Sequence, residues 1–283
     1  MIKEGGSTMK RFFPVFLLVA FSAVGGCCVH AGLKHPEARQ TIVDELKSDT
    51  VALVHKDSDG DVSPWCTGVW IDKDKVITAD HCVRAPIEAL VVELMPGDDV
   101  DDNDDEAMKA FQAAREKMVQ DLEDGFKIQY IVDKESTGVY REPKAVHTLR
   151  VVKHDKAHDL ALLVVDDPKD VPAHHVASLA DNTPAVVETV HVMGHVTGLY
   201  WTYTRGLVAA YREENFRPVE KRGKKGPFMQ IAGEVFRGNS GGGAFNDNGE
   251  LVGLASFMPP APNECFFVHI ETIRSFLGRP IPR

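Results

Sequence analysis

The sequence predicts an all-β protein, and three observations carry that expectation. Short β-prone runs recur along the chain between turns rich in glycine and aspartate. The segment from Cys66 to Cys82 reads as a hairpin, two such runs flanking the polar turn Asp72-Lys73-Asp74-Lys75. The segment Gly206-Leu207-Val208-Ala209-Ala210-Tyr211 fits a half-buried strand. With 283 residues, 43% of them hydrophobic and 26% charged, the chain is long enough to bury a core without metals or many disulfides.

The N-terminus reads as an address. Met9-Lys10-Arg11 precedes an apolar stretch, Phe12 to Val24, that is apolar on every face yet shorter than the roughly 20 residues of a spanning helix. Residues 1–27 are therefore expected to be an export signal. Met9 is its expected true start, because Lys3-Glu4-Gly5 can be encoded by a ribosome-binding sequence. Val24-Gly25-Gly26-Cys27 resembles the bacterial lipobox, which implies acyl chains on Cys27 and anchoring at a membrane surface. Cleavage nearby to release a soluble protein is the competing expectation. Residues 28–44 read as a tether and 45–278 as the folded domain.

The hairpin places Cys66 near Cys82 and His81 at a strand end. Beyond it lies an acidic run, Asp98 to Glu106, then Met108, Phe111, Ala114, Met118 and Leu122 at helical spacing. These predict an amphipathic helix over 104–124, inserted in a surface loop. Covering an open end of the core is its plainer role, a substrate lid or partner dock the alternative. The acidic run lacks the glycine-punctuated spacing of a calcium loop, so a solvated negative loop is expected.

Further on, Asp159 opens the apolar run Leu160-Ala161-Leu162-Leu163-Val164-Val165. A carboxylate at the mouth of a buried strand is costly unless hydrogen-bonded, so Asp159 needs a partner. Asp155 is the alternative, but it does not open the run. In Gly238-Asn239-Ser240-Gly241-Gly242-Gly243 the glycines allow a tight turn that leaves the serine Oγ exposed. Taken alone, that motif also fits a plain polar turn.

Together these motifs resemble the chymotrypsin-like serine proteases. Thr78-Ala79-Asp80-His81-Cys82 matches the histidine motif Thr-Ala-Ala-His-Cys with Asp80 replacing an alanine, and the three motifs stand in the order His, Asp, Ser. The resemblance implies two antiparallel six-stranded β-barrels, about 45–165 and 175–270, with a helical insert in the first and a short C-terminal helix. His81 would serve as base and then acid, Asp159 would hold its tautomer, and Ser240 would be the nucleophile. The amides of Gly238 and Ser240 would form the oxyanion hole. It also implies a Cys66–Cys82 disulfide, leaving Cys265 free or paired with Cys28. No cofactor or metal is implied.

Within that family the chain resembles the bacterial Deg/HtrA branch. Asn239 stands where trypsin-like zymogens carry the aspartate that pairs with a new N-terminus, and no Ile-Val-Gly-Gly-like activation site is present. Val190 to His195, Tyr203 to Val208, and Cys265 to Ile270 followed by Glu271 to Leu277 resemble that branch's later strands and closing helix. With the stretch from Gly241 to Arg283 after the serine, no PDZ domain is expected. Counted back from Ser240, Glu234 falls where trypsin-like enzymes place the floor of the specificity pocket, which would favour a basic residue. Phe257 on the wall strand points instead to a small or shallow pocket.

A net charge of -10 argues against nucleic acid as a partner. Protein or peptide substrates and a membrane reached through the lipid anchor are the expected partners, in the bacterial cell envelope or after secretion. The pairs His154/His158 and His191/His195 lie on no predicted helix, so no metal site is expected. The reading from another class is a catalytically silent binding protein on a protease fold.

Overall fold

Alternation builds the first sheet: on β5 (His147–Asp155) buried Leu149 and Val151 alternate with exposed Arg150 and Val152. The computed structural model describes residues 36–56, 62–95, 105–123, 125–131, 146–167, 169, 171, 173–196, 199–213, 224–258 and 264–279. The signal segment, the lipobox with Cys27, and nearly all of the acidic run lie outside the described residues.

β1 (Thr50–Lys56), β2 (Val62–Asp72), β3 (Lys75–Thr78), β4 (Lys127–Ile131), β5 and β6 (Leu160–Val165) close into one barrel in the order β1-β2-β3-β6-β5-β4. A second barrel runs β10-β11-β12-β9-β8-β7. Its strands are β7 (Thr189–Val196), β8 (Leu199–Arg212), β9 (Phe228–Ala232), β10 (Gly243–Phe245), β11 (Leu251–Phe257) and β12 (Glu264–His269). Every pairing of these strands is antiparallel. This is the expected pair of six-stranded barrels. Closure leaves neither sheet an open edge.

Each barrel has its own core, and a third apolar cluster joins them. Val69, Ile71, Ile77 and Leu160 of the first barrel meet Met193, Phe228, Phe245 and Leu251 of the second. β2 from Cys66 to Ile71 and all of β11 are therefore buried on both faces and read as near-continuous apolar runs. Helix α1 (Pro36–Asp49) sends Leu46, Ile42 and Val43 into this cluster. The compact unit thus begins at Pro36, ahead of residue 45, and part of the expected tether is helix.

The hairpin forms at the expected turn, where Lys73 N donates to Asp72 Oδ1 at 2.8 Å. Its second strand is shorter than expected. β3 ends at Thr78, and α2 (Asp80–Leu94) takes over, so His81 lies in the first turn of a helix rather than at a strand end. Val83, Ile87 and Val91, spaced four apart, turn α2's inner face onto the barrel-one core. Pro86 sits inside the helix. The insert forms α3 (Asp105–Glu123), which packs on α2 and adds Met118, Val119 and Leu122 to the same core. Ala114, placed on its apolar face by spacing, is exposed.

The closing helix α4 (Ile270–Leu277) packs Ile273 and Phe276 into the inter-barrel cluster. Gly278, in the left-handed conformation at φ 68°, ends it, and Arg274 donates to the carbonyls of Leu179 and Ala180 in the connection between barrels. Among the described residues no helix is long and apolar enough to cross a membrane.

Candidate active site

Asp159 closes the turn that opens β6, at φ 57°. That left-handed conformation is one that aspartate tolerates better than most side chains do. The turn is stabilised by Asp155, whose carboxylate accepts from His158 N at 3.1 Å and pairs with His158 Nδ1 at 2.7 Å. Asp155 is thereby occupied within its own turn, and Asp159 faces His81.

The Asp159 carboxylate is buried and surrounded by donors. His81 N donates to Oδ1 at 3.0 Å, and His81 Nδ1 lies 3.0 Å from both oxygens. Ser256 Oγ and Lys224 Nζ donate to Oδ2. Burial by itself opposes ionisation here. The hydrogen bond and charge of His81, with Lys224, outweigh it and hold the carboxyl well below its ordinary range. An ionised carboxylate only accepts, so His81 Nδ1 carries the proton and Nε2 of the neutral ring is the free acceptor. The His81 side chain is 40% exposed, which leaves that nitrogen open to a ligand.

Ser240 stands on a loop between β9 and β10 that is folded by two successive turns. Asn239 N donates to Phe236 O at 3.1 Å, and Gly242 N to Asn239 O at 2.8 Å. Gly238 (φ 98°) and Gly241 (φ 77°) supply the conformations these turns need. Gly241 N and Ala255 N bind the loop back to β11 through Ala255 O and Gly242 O, each at 2.8 Å. Among the described residues neither the Gly238 nor the Ser240 amide donates to a protein acceptor. Two unengaged amides flanking a serine suit the stabilisation of an oxyanion.

Two neighbouring residues of β2 hold histidine and serine together. Cys66 is disulfide-bonded to Cys82 of α2, with Cα atoms 6.0 Å apart, which fixes the helix carrying His81. Thr67 N donates to Ser240 O at 2.8 Å, and Thr67 Oγ1 to Gly238 O at 2.7 Å. Among the described residues Ser240 Oγ makes no hydrogen bond to the imidazole. Such bonds commonly tighten only when substrate is bound. Both cysteine sulfurs lie close to His81 but are consumed in the disulfide, so they offer no thiolate to a metal.

Asn239 is fully buried, and neither its Oδ1 nor its Nδ2 has a partner among the described residues. A neutral amide costs far less here than an unpaired carboxylate would. Gly194 makes the room, since a Cβ there would overlap Asn239 Oδ1.

The two residues expected at the specificity pocket differ in burial. Glu234 is exposed, not sunk in a floor. The Phe257 ring belongs to a core stack, 5.4 Å from Phe228 and 4.8 Å from Phe266. Cys265 is a buried free thiol, pushed up to about 11 by burial, with Sγ 3.8 Å from Gly233 O. The histidine pairs diverge: His154 meets Glu123 and Asp80, His158 meets Asp155, and His191 meets Asp247 and Tyr203. His195 accepts from Trp201 N. A cleft of about 690 Å³ between β5 and α4, lined by Lys153, Asp155, Glu271 and Phe276, includes neither His81 nor Ser240.

Two residues beside Asp159 were missed by motif reading. Ser256 interrupts the apolar run of β11 ahead of Phe257, and a hydroxyl in such a strand asks for a partner, which was the available signal. Lys224 carries none.

Asp80, the departure from the histidine motif, is buried beside this group. Burial and the charge of Asp159 push its carboxyl up to about 6. Protonating Asp80 therefore favours the folded state. That gain is complete below its unfolded value of 3.8 and is lost as pH rises past about 6. Asp80→Asn is accordingly expected to be more stable than the parent above neutrality, by about 2–3 kcal/mol, with the difference vanishing near pH 4. Urea denaturation at the two pH values reads this directly.

Comparison with known proteins agrees with the fold. The trypsin-like peptidase domain family model matches residues 66–254. A probable periplasmic serine endoprotease, DegP-like, of Rhizobium meliloti is 34% identical over 117 residues, covering 40% of this chain and 22% of that protein. The periplasmic serine endoprotease DegP of Salmonella typhimurium is 36% identical over 106 residues, covering 37% and 21%. The chain thus spans well under half the length of these relatives. Among solved structures, the active form of the Rv3671c protease from M. tuberculosis superposes with a TM-score of 0.57 at 16% identity, over 86% of this chain and 85% of that one. The serine endoprotease from Yersinia pestis gives 0.53 at 17%, over 84% and 65%. Those two likenesses concern the fold. The chain belongs to the trypsin-like peptidase domain family.

Proposed function

We propose that this protein is a serine endopeptidase that cleaves exported or surface proteins in the bacterial cell envelope. The observation that carries the reading is the buried, ionised Asp159 bound to His81 Nδ1, 3.0 Å from each oxygen. It leaves Nε2 free to take a proton from Ser240 Oγ. The serine oxygen then adds to the scissile carbonyl, and the amides of Gly238 and Ser240 bind the resulting oxyanion. Collapse breaks the C–N bond, His81 returns the proton to the leaving amine, and Ser240 is left acylated. Water, deprotonated by the same nitrogen, releases the carboxylate and restores the hydroxyl.

Export is supported by the basic-then-apolar N-terminus, by the Cys66–Cys82 disulfide, and by relatives described as periplasmic. Anchoring through Cys27 follows from the lipobox resemblance. Substrates are protein or peptide chains.

The test compares the disulfide-intact protein with Ser240→Ala on an unfolded protein substrate such as reduced, alkylated casein. Cleavage is expected to fall to background in the variant. Equal turnover by both proteins, or none by the folded parent, would overturn the reading.

A further inference from the structure

Lys224 is the unexpected neighbour of Asp159. It lies just ahead of β9, and its backbone is fastened to the turn that positions Asp159, because Lys225 N donates to Ala157 O at 2.6 Å. From there Lys224 Nζ reaches Asp159 Oδ2 and also Ser256 Oγ at 3.1 Å. Its ammonium stands 5.6 Å from the Phe257 ring centroid, and the side chain is only 15% exposed. A buried lysine held by a carboxylate, a hydroxyl and an aromatic face is a built contact rather than a stray surface cation.

The charge has a consequence for His81. A lone buried carboxylate strongly favours the imidazolium that forms when His81 takes a proton. A carboxylate already paired with an ammonium offers that imidazolium much less, because the pair is close to neutral at the distance of the ring. We propose that Lys224 is a positioning residue of the active site, which pins Asp159 and offsets the charge that Asp159 presents to His81, so that its removal moves the acid limb of the pH profile. The proposal rests on the peptidase reading above.

Other charges around the pair are Asp80 and Arg84 on α2, Glu123 on α3, His154 on β5, and His158 with Asp155 in the turn. They are unchanged in the variants that test it.

The experiment is the pH profile of kcat/KM on a peptide substrate for the parent, Lys224→Met, Lys224→Gln and Lys224→Arg, each checked for folding by circular dichroism. In the Met and Gln variants the acid limb is expected to move up by about 1 pH unit or more. Arg should restore it. A purely structural role would instead lower kcat/KM by the same factor at every pH. A limb that stays in place in either folded neutral variant, or that fails to return with Arg, would overturn the proposal. Labelling of the parent by a fluorophosphonate probe separates the two claims. Without labelling the peptidase reading fails, whereas labelling with an unmoved limb removes Lys224 alone.

Discussion

Asp159→Asn is expected to lower kcat/KM by about 10⁴-fold at neutral pH. The carboxamide keeps the shape of the side chain but brings one donor and one acceptor where the carboxylate had acceptors only. Turned towards His81, its NH₂ group fixes the proton on Nε2, and the ring can no longer take one from Ser240. The loss should shrink at high pH, where hydroxide substitutes for the missing base. Stability also falls. Asp159 is held below its unfolded value of 3.8, so its contribution is present above that pH and lost as pH falls. The asparagine variant lacks it at neutrality and leaves the Lys224 ammonium buried beside a neutral amide. Adding Lys224→Met to Asp159→Asn is therefore expected to recover part of the lost stability. Thermal denaturation of the three variants, alongside their kinetics, checks both halves.

Gly241→Ala is expected to cost at least about 3 kcal/mol and most of the activity. The position has φ 77°, and a Cβ there would overlap Thr78 Oγ1 and Thr67 O and stand 2.8 Å from Ala79 N. Two of these three atoms are backbone, and a backbone locked in closed barrels cannot step aside. Relief would require moving Thr67, which holds Ser240 O and Gly238 O, or Ala79, which caps the helix carrying His81. Gly249→Ala is the control. Its φ is also 77°, but the added Cβ would meet only Glu45 Oε2 at 3.7 Å. It should show left-handed strain alone, about 1–2 kcal/mol, with activity kept. Urea denaturation and peptide turnover for the two variants separate crowding from strain.

The contact between His81 and Asp159 was legible through the resemblance of two motifs, Thr78 to Cys82 and Asp159 opening its apolar run, to those of a known family. An aspartate opening an apolar strand needs a donor, and His81 in the first turn of α2 supplies one. Helix α3 was legible because Met118 and Leu122 keep the period of its buried face. Helix α2 was not. Thr78 to Cys82 runs on from a β-prone segment, and Pro86 interrupts the one apolar spacing that would have marked a helix. Packing of Val83, Ile87 and Val91 onto the barrel-one core overrides that local signal.

Lys224 and Ser256 were hidden for a different reason. They lie 65 and 97 residues from Asp159 along the chain, and only the packing of the second barrel on the first brings them to it. Glu234 shows the limit of counting from a motif. Its distance along the chain from Ser240 is read correctly, yet spacing does not say which way a loop side chain points, and this one faces solvent.

The central claim is that Ser240 is a nucleophile activated by His81. The most direct measurement is mass spectrometry of the folded, disulfide-intact protein after reaction with a fluorophosphonate probe. The expected result is a single adduct on Ser240, absent in Ser240→Ala and formed at least ~10³-fold more slowly in His81→Ala. An adduct on another residue, or an unmodified Ser240 in folded protein, would contradict it.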